Sequence, residues 1–100
     1  MSPRLSHSAA LILKALSLGY CFGFEIMQIT GLPSGTVYPA LRRLERDKLV
    51  DSHWEPDADA EARGRPSRRY HTITVAGKAA NLAAADRYPL LPRLLPEKSA

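Results

Sequence analysis

The chain has 100 residues, 45% hydrophobic and 24% charged, which is the composition of one ordinary globular domain. Its formal net charge of +4 favours polyanions as partners. The single cysteine excludes an intrachain disulfide, and no apolar run approaches the roughly 20 residues that span a bilayer. We therefore expect a cytoplasmic protein without a membrane partner.

Two helices are predicted in the first third of the chain. Apolar residues recur at helical spacing over residues 8–18, where Ser6 or Ser8 could provide the N-cap. Residues 22–31, FGFEIMQITG, predict a short second helix with an apolar stripe that Phe24 broadens, and the final glycine ends it.

The third helix is predicted within residues 32–50, LPSGTVYPALRRLERDKLV. At 100° intervals Val37, Leu41 and Leu44 fall on one side, and three arginines cover the other. Pro39 is unusual inside a helix, but near the first turn the lost N–H group costs less. The pattern indicates a helix with one side for the core and one for a polyanion.

A β-hairpin is predicted after the third helix. Residues 49–55 and 68–75 alternate as strands do, and residues 56–67 hold two prolines and one glycine without periodicity, which predicts a loop. Val50 and Trp54 share one side of the first strand. We therefore expect Trp54 to pack the hairpin onto the helices.

An alanine-rich helix is predicted to begin at Thr74 or Gly77 and to end near Tyr88, because prolines follow. The fold class is therefore mainly α with a small β-hairpin, a winged helix-turn-helix of order α-α-α-β-β-α. We assign residues 1–75 to a winged-helix DNA-binding domain. We assign residues 76–100 to a C-terminal helix and proline-broken tail, for which we expect a role in dimerisation.

Three segments have a familiar pattern: FGFEIM, SGTVYPALRRLE and GRPSRRYHTIT. With them, residues 9–80 resemble the PadR family of bacterial transcriptional regulators. The resemblance implies a winged-helix DNA-binding domain, homodimerisation through the C-terminal helix, and repression that a small ligand or a stress signal relieves.

The side chains expected to contact DNA come from the third helix and the second half of the hairpin loop. In helix–turn–helix proteins the N-terminal end of this helix enters the major groove, and Ser34 is expected to cap it. Residues 62–72 carry four arginines and no acid, whereas residues 49–61 carry five acids and no Lys or Arg. We call residues 49–61 the acidic limb of the hairpin and residues 62–72 the basic limb. DNA should attract the basic limb and repel the acidic limb. The predicted DNA-binding residues are Ser34, Gly35, Thr36, Tyr38, Pro39, Arg42, Arg43, Arg46, Arg63, Arg65, Arg68 and Arg69.

Several of these assignments have a plainer alternative. Arg42 could form an ordinary helix pair with Glu45, and Arg43 could form one with Asp47. Tyr38 could be a half-buried aromatic beside the core. The hairpin loop could be disordered, with opposite charges that cancel, and become ordered only on DNA.

The last helix and the tail present small and apolar side chains. Four leucines exposed on a monomer would be a liability, so we expect the tail to pack on a partner subunit or on the first helix of its own chain. The predicted dimerisation residues are Ala79, Leu82, Ala83, Leu90, Leu91, Leu94 and Leu95.

The sequence thus predicts a homodimeric, sequence-specific transcriptional regulator, a repressor that binds an inverted-repeat operator in double-stranded DNA. The histidines and the cysteine lack metal-ligand spacing, and no phosphate loop or nucleophile–base pair is present, so we expect no enzyme, metal or cofactor. The alternative is a winged-helix protein-interaction adaptor without a specific operator. A small-molecule effector stays open as a further partner.

Overall fold

The structure is a computed structural model that describes residues 5–97, without the side chain of Pro92. The outermost residues of the two predicted domains, 1–4 and 98–100, lie outside the described part. The predicted order of helices and strands is confirmed. The elements are α1 (His7–Ser17), α2 (Gly23–Thr30), α3 (Ser34–Arg46), β1 (Val50–Trp54), α4 (Asp57–Ala62), β2 (Arg69–Ile73), α5 (Val75–Arg87) and a 3-10 turn (Leu91–Arg93).

α1 forms the centre of the hydrophobic core. Ser6 caps it, because its Oγ accepts a hydrogen bond of 3.1 Å from the N–H of Ala9. Ile12 and Leu13 are fully buried, and the helix packs against α2, α3, α5 and β2. α2 ends as predicted at Gly31, which takes the left-handed conformation (φ 73°) that closes many helices. None of the described helices is long and apolar enough to cross a bilayer.

α3 buries the side that its apolar residues predict. Val37, Leu41 and Leu44 are buried against α1 and α2. The expectation that Ser34 caps this helix is wrong: the preceding proline is the N-cap, and Ser34 is the first helical residue. The chain stays extended at that proline, whose carbonyl accepts hydrogen bonds from two first-turn N–H groups (2.9 and 3.0 Å). A proline ring suits this position because its φ is already fixed near the observed −74°.

The hairpin is a two-stranded antiparallel sheet that we call the wing, residues 50–73. Val50 pairs with Ile73 at its base and Trp54 pairs with Arg69 at its far end. The segment between α1 and α2 attaches the sheet to the helices, because the N–H of His71 donates to the Cys21 carbonyl (2.8 Å). The wing is therefore fixed to the helical core at its base.

Two sequence-based expectations about the wing are wrong. The predicted loop, residues 56–67, contains α4, which has only six residues and is too short to show a helical period. Its first turn carries Asp57 and Asp59, where acidic side chains favour helix formation. Trp54 does not pack on the helices: it is 66% exposed. The side of β1 that starts buried at Val50 leaves the core as the strand extends outward.

α5 and the tail cover the remaining side of α1. Thr74 begins the helix as predicted, since its Oγ1 accepts a hydrogen bond of 2.9 Å from the N–H of Gly77. Two of the predicted dimerisation residues, Leu91 and Leu95, are buried in the core of their own chain. The tail folds back onto α1, and these two side chains pack into the hydrophobic core. The predicted dimerisation residues that remain exposed are Ala79, Leu82, Ala83, Leu90 and Leu94.

Candidate nucleic-acid interface

The outer side of α3 carries three exposed arginines, Arg42, Arg43 and Arg46. The helix pairs considered as alternatives for Arg42 and Arg43 do not form, because the ion pairs within residues 5–97 involve other arginines. Glu45, the nearest acid on this helix, turns towards the wing. Three guanidinium groups on one helix are thus available to an anion.

A glycine of α2 allows the N-terminal end of α3 to lie close to that helix. A Cβ atom at Gly23 would lie 2.5 Å from Cε1 of Tyr38, so only glycine lets the tyrosine ring approach this closely. Tyr38 is nevertheless 43% exposed, beside the exposed Ser34 and Gly35. The ring therefore rests on α2 and still presents part of its surface to a partner.

Pro39 is the sixth residue of α3, one turn further into the helix than a proline is normally tolerated. Because proline has no N–H group, the carbonyl of Gly35 loses the donor that a regular helix would supply. Thr36 and Pro39 are half-buried. The helix thus begins with a partly exposed and locally weakened segment, residues 34–39, that carries five of the predicted DNA-binding residues.

Glu45 connects α3 to both strands of the wing. Its Oε1 accepts hydrogen bonds from Ser52 Oγ (2.6 Å) and Arg69 Nη2 (2.9 Å). The hydrogen bond from Ser52, followed by the charge of Arg69, lowers the pKa of the Glu45 carboxyl below its ordinary value. Glu45 is a functional candidate that sequence reasoning missed. The sequence gives no signal for this role, because Glu45 meets its partner Arg69, 24 residues further along the chain, only in the folded structure.

The tip of the wing pairs its own charges. Arg65 donates from both Nη atoms to the two carboxylate oxygens of Glu55, one of these bonds being 2.9 Å long. This pairing lowers the pKa of Glu55 to about 2, chiefly through the hydrogen bond from Arg65. Ser67 Oγ donates to Asp57 Oδ1 (2.7 Å), which also joins the acidic limb to the basic limb. The charges of the two limbs therefore cancel in part.

The four arginines of the basic limb therefore have four different environments. Arg63 is exposed, Arg65 is paired with a carboxylate, and Arg69 is hydrogen-bonded to Glu45. The guanidinium of Arg68 lies 3.7 Å from the centre of the Phe22 ring, a cation–π contact. Its Nε is shielded from solvent and has no hydrogen-bond acceptor among the described residues.

A cleft of about 360 Å³ lies between the N-terminus of α2, the outer side of α3 and the wing. Two of its aromatic side chains, Phe24 and Trp54, are 64% and 66% exposed, although the sequence places Phe24 on the apolar stripe of α2 and favours packing on the helices for Trp54. The sequence does contain a signal for the exposure of Phe24. Phe24 lies about 200° around α2 from the buried Ile26, so the two side chains cannot lie on the same side of the helix. The cleft is lined by four aromatic side chains and three arginines, namely Phe22, Phe24, Tyr38, Trp54, Arg42, Arg68 and Arg69.

Three helices followed by a two-stranded hairpin and a further helix form the winged-helix arrangement of DNA-binding proteins. The model of the transcriptional regulator PadR-like family matches residues 12–84. The chain therefore belongs to this family and is a DNA-binding transcriptional regulator, not an enzyme.

Solved structures show the same fold. A PadR family transcription regulator from Clostridium difficile R20291 matches with a TM-score of 0.73 and 23% identity, over 89% of this chain and 94% of that one. A PadR family regulator from Eggerthella lenta DSM 2243 gives a TM-score of 0.63 and 21% identity, over 82% and 74% of the two chains. The PcaV transcriptional regulator from Streptomyces coelicolor, solved with its natural ligand, gives 0.67 and 19%, over 91% and 64%. Comparison with curated proteins gives no match.

Proposed function

We propose that the protein is a cytoplasmic, homodimeric repressor that recognises an inverted-repeat operator in double-stranded DNA through α3. The observation that carries the proposal is the outer side of α3, where exposed arginines have no carboxylate partner among residues 5–97. Free guanidinium groups on a helix that can enter the major groove are the commonest means of reading guanine.

The residues on this side divide into two roles. Tyr38, Arg42 and Arg46 fall within about 80° of one another around the helix, which places them together at its centre line. These side chains are assigned to base edges and the adjacent phosphates. Arg43 lies about 60° further around the helix than Arg46 and is assigned to the phosphate backbone; both arginines line a cavity with Ser6.

Dimerisation is assigned to the exposed side chains of α5 and the tail. Leu82, Leu90 and Leu94 are large, apolar and exposed, and apolar surface of this kind usually marks an interaction site. A two-fold dimer would present two copies of α3 to successive major grooves, and the operator would repeat about every 10 base pairs. A small-molecule effector could act on this interface, and the natural ligand of PcaV is a precedent on a similar fold.

The proposed function is tested by selecting bound genomic fragments with purified protein, with and without cell extract. We expect the selected fragments to share an inverted repeat, and a component of the extract to release them if an effector exists. Fragments without a common repeat, held weakly and lost with moderate salt, would instead indicate the protein-interaction adaptor.

The dimer is tested separately with charged substitutions. Truncation of the tail is unsuitable, because it would remove Leu91 and Leu95 from the core. We expect the double variant Leu90→Glu/Leu94→Glu to sediment as a monomer. The double variant Ala58→Glu/Ala62→Glu is the matched control, since both residues are exposed on α4, away from α5 and the tail, and this variant should stay dimeric. Equal sedimentation of both variants with the unmodified protein would contradict the assigned interface.

A further inference from the structure

The cleft between α3 and the wing lies where two DNA-contacting elements diverge. If α3 occupies a major groove and the wing lies against the neighbouring minor groove, one sugar–phosphate strand must pass between them, because that strand separates the two grooves. The cleft is the gap through which it would pass. This inference rests on the proposed function and specifies a further part of the DNA contact.

The charge in the cleft suits phosphate. Arg42, Arg68 and Arg69 line it against a single carboxylate, Glu45, which is already hydrogen-bonded to Ser52 and Arg69. The N-terminus of α2 adds no such donor, because Glu25 caps it: Oε1 of Glu25 accepts hydrogen bonds of 3.3 Å from the N–H groups of Cys21 and Phe22. The cleft therefore offers several donors and a net positive charge.

The aromatic side chains in the cleft suit the sugar. Phe24 and Trp54 are among the most exposed large apolar residues of the described chain, and they border the same cleft from α2 and from β1. Phosphate alone gives no reason for apolar rings at this place. The C–H groups of deoxyribose, between two phosphates, provide apolar surface that such rings can cover.

We propose that this cleft binds a deoxyribose–phosphate segment of one operator strand, with Phe24 and Trp54 against the sugar and Arg68 on a phosphate. The contact fixes the register of α3 in the groove and adds affinity for every duplex. It carries no sequence preference of its own.

The single tryptophan of the chain provides a direct measurement, because its fluorescence reports only on Trp54. A short mixed-sequence duplex added at low salt should change this fluorescence. Phe24→Ala and Trp54→Ala should each weaken binding to all duplexes by about three- to tenfold and leave the ratio between sequences unchanged. Both residues are exposed, so circular dichroism should confirm that the variants are folded.

Salt separates the sugar contact from the phosphate contact. Phe24→Ala should lower affinity equally at every salt concentration, with the same slope of log affinity against log salt. Arg68→Gln should reduce that slope by about 1. Val75→Ala removes an exposed apolar side chain outside the cleft and should bind as the unmodified protein does.

Several results would overturn the proposal. If a duplex binds without changing Trp54 fluorescence, and both alanine variants bind it with full affinity, the sugar contact is refuted. The proposed function would stand in that case. A single strand that changes the fluorescence as strongly as the duplex would contradict a contact that requires two grooves. Benzoate that gives the same change without DNA would assign the cleft to small aromatic anions. Absence of binding to any duplex would refute the proposed function as well.

Discussion

α3 and the wing are both rich in arginine, but they differ in how many of these arginines have a carboxylate partner among the described residues: none of three on α3 and two of four in the wing. On α3 the arginine side chains point outward without a carboxylate partner in the described part of the chain. In the wing, Arg65 is paired with Glu55 and Arg69 with Glu45. The number of basic residues in a segment therefore does not measure what the segment offers to a polyanion.

The difference follows from backbone geometry. Antiparallel pairing brings residues 50–54 beside residues 69–73, so the acidic limb that precedes the hairpin tip lies against the basic limb that follows it. A helix separates its sides instead: α3 turns Leu41 and Leu44 inward, and its arginines project where no second strand can reach them. The tip of the wing thus pairs part of its own charge, whereas the arginines of α3 have no carboxylate partner among the described residues.

The largest expected effect tests this difference through stability. Leu41→Ala removes a fully buried side chain from the inner side of α3 and should lower the free energy of unfolding by about 2–5 kcal/mol. Trp54→Ala removes a larger but exposed side chain from the wing and should change it by less than about 0.5 kcal/mol. Urea titration followed by circular dichroism measures both. A loss for Trp54→Ala similar to that for Leu41→Ala would show that the wing packs on the helices after all.

The second effect concerns DNA. Arg42→Ala removes a free guanidinium from the proposed base-reading side and should weaken operator binding by about tenfold to a hundredfold, with relaxed sequence preference. The sequence alone predicts that Arg65→Ala weakens all duplexes and flattens the salt dependence. Since Arg65 is held by Glu55, we expect this effect to be clearly smaller than that of Arg42→Ala. Titration of labelled duplexes at several salt concentrations measures both, and a larger effect of Arg65→Ala would reverse the comparison.

The fold could be predicted from the sequence because each long element carries its own period. α1 and α3 repeat apolar residues at helical spacing, and β1 and β2 alternate. α4 could not be predicted in this way, since six residues give fewer than two turns. Trp54 is exposed because the hairpin extends beyond the helices at that point. The alternation of residues along a strand shows which side each one faces, but not how far the strand extends beyond the core.

The candidate site could be predicted only in outline. The arginines of α3 follow from the helical wheel, but the partners of the wing arginines do not. Glu45 and Arg69 meet across 24 residues of sequence, and Arg65 and Glu55 meet across 10, so these pairs exist only after the hairpin has formed. A charge count along the chain treats all of these arginines alike.

The third prediction frees an arginine of the wing. Glu55→Gln removes the carboxylate that holds Arg65, and we expect tighter binding to every duplex and a salt slope steeper by about 1. The hydrogen bond from Arg65 lowers the pKa of Glu55 to about 2, so Glu55 carries its charge at the neutral pH of the binding assay. Asp59→Asn is the matched control, with the same change of charge at an exposed site on α4. Equal affinity gains in the two variants would mean that overall charge, and not the release of Arg65, is responsible.

The smallest effect concerns His71, at the junction of the wing with the helices. His71 is only 6% exposed, and burial, opposed by its contact with the Cys21 carbonyl, lowers its pKa below the ordinary value. Nearby Arg69 lowers this pKa further, and Glu45 raises it. The unfolded chain binds a proton below about pH 6.5 that the folded chain does not. Stability should therefore be complete above that pH and should fall as the pH decreases below it.

Urea unfolding at about pH 7.5 and about pH 5.5 measures this dependence in a window above the range where carboxylates titrate. We expect His71→Phe to reduce the loss of stability between the two pH values, because the buried group that resists protonation is gone. His53→Gln, at an exposed position of β1, should retain the loss. The same loss in His71→Phe as in the unmodified protein would show that the junction contributes no pH dependence. The wing's attachment to the helices would then be insensitive to charge, unlike the pairs at its tip.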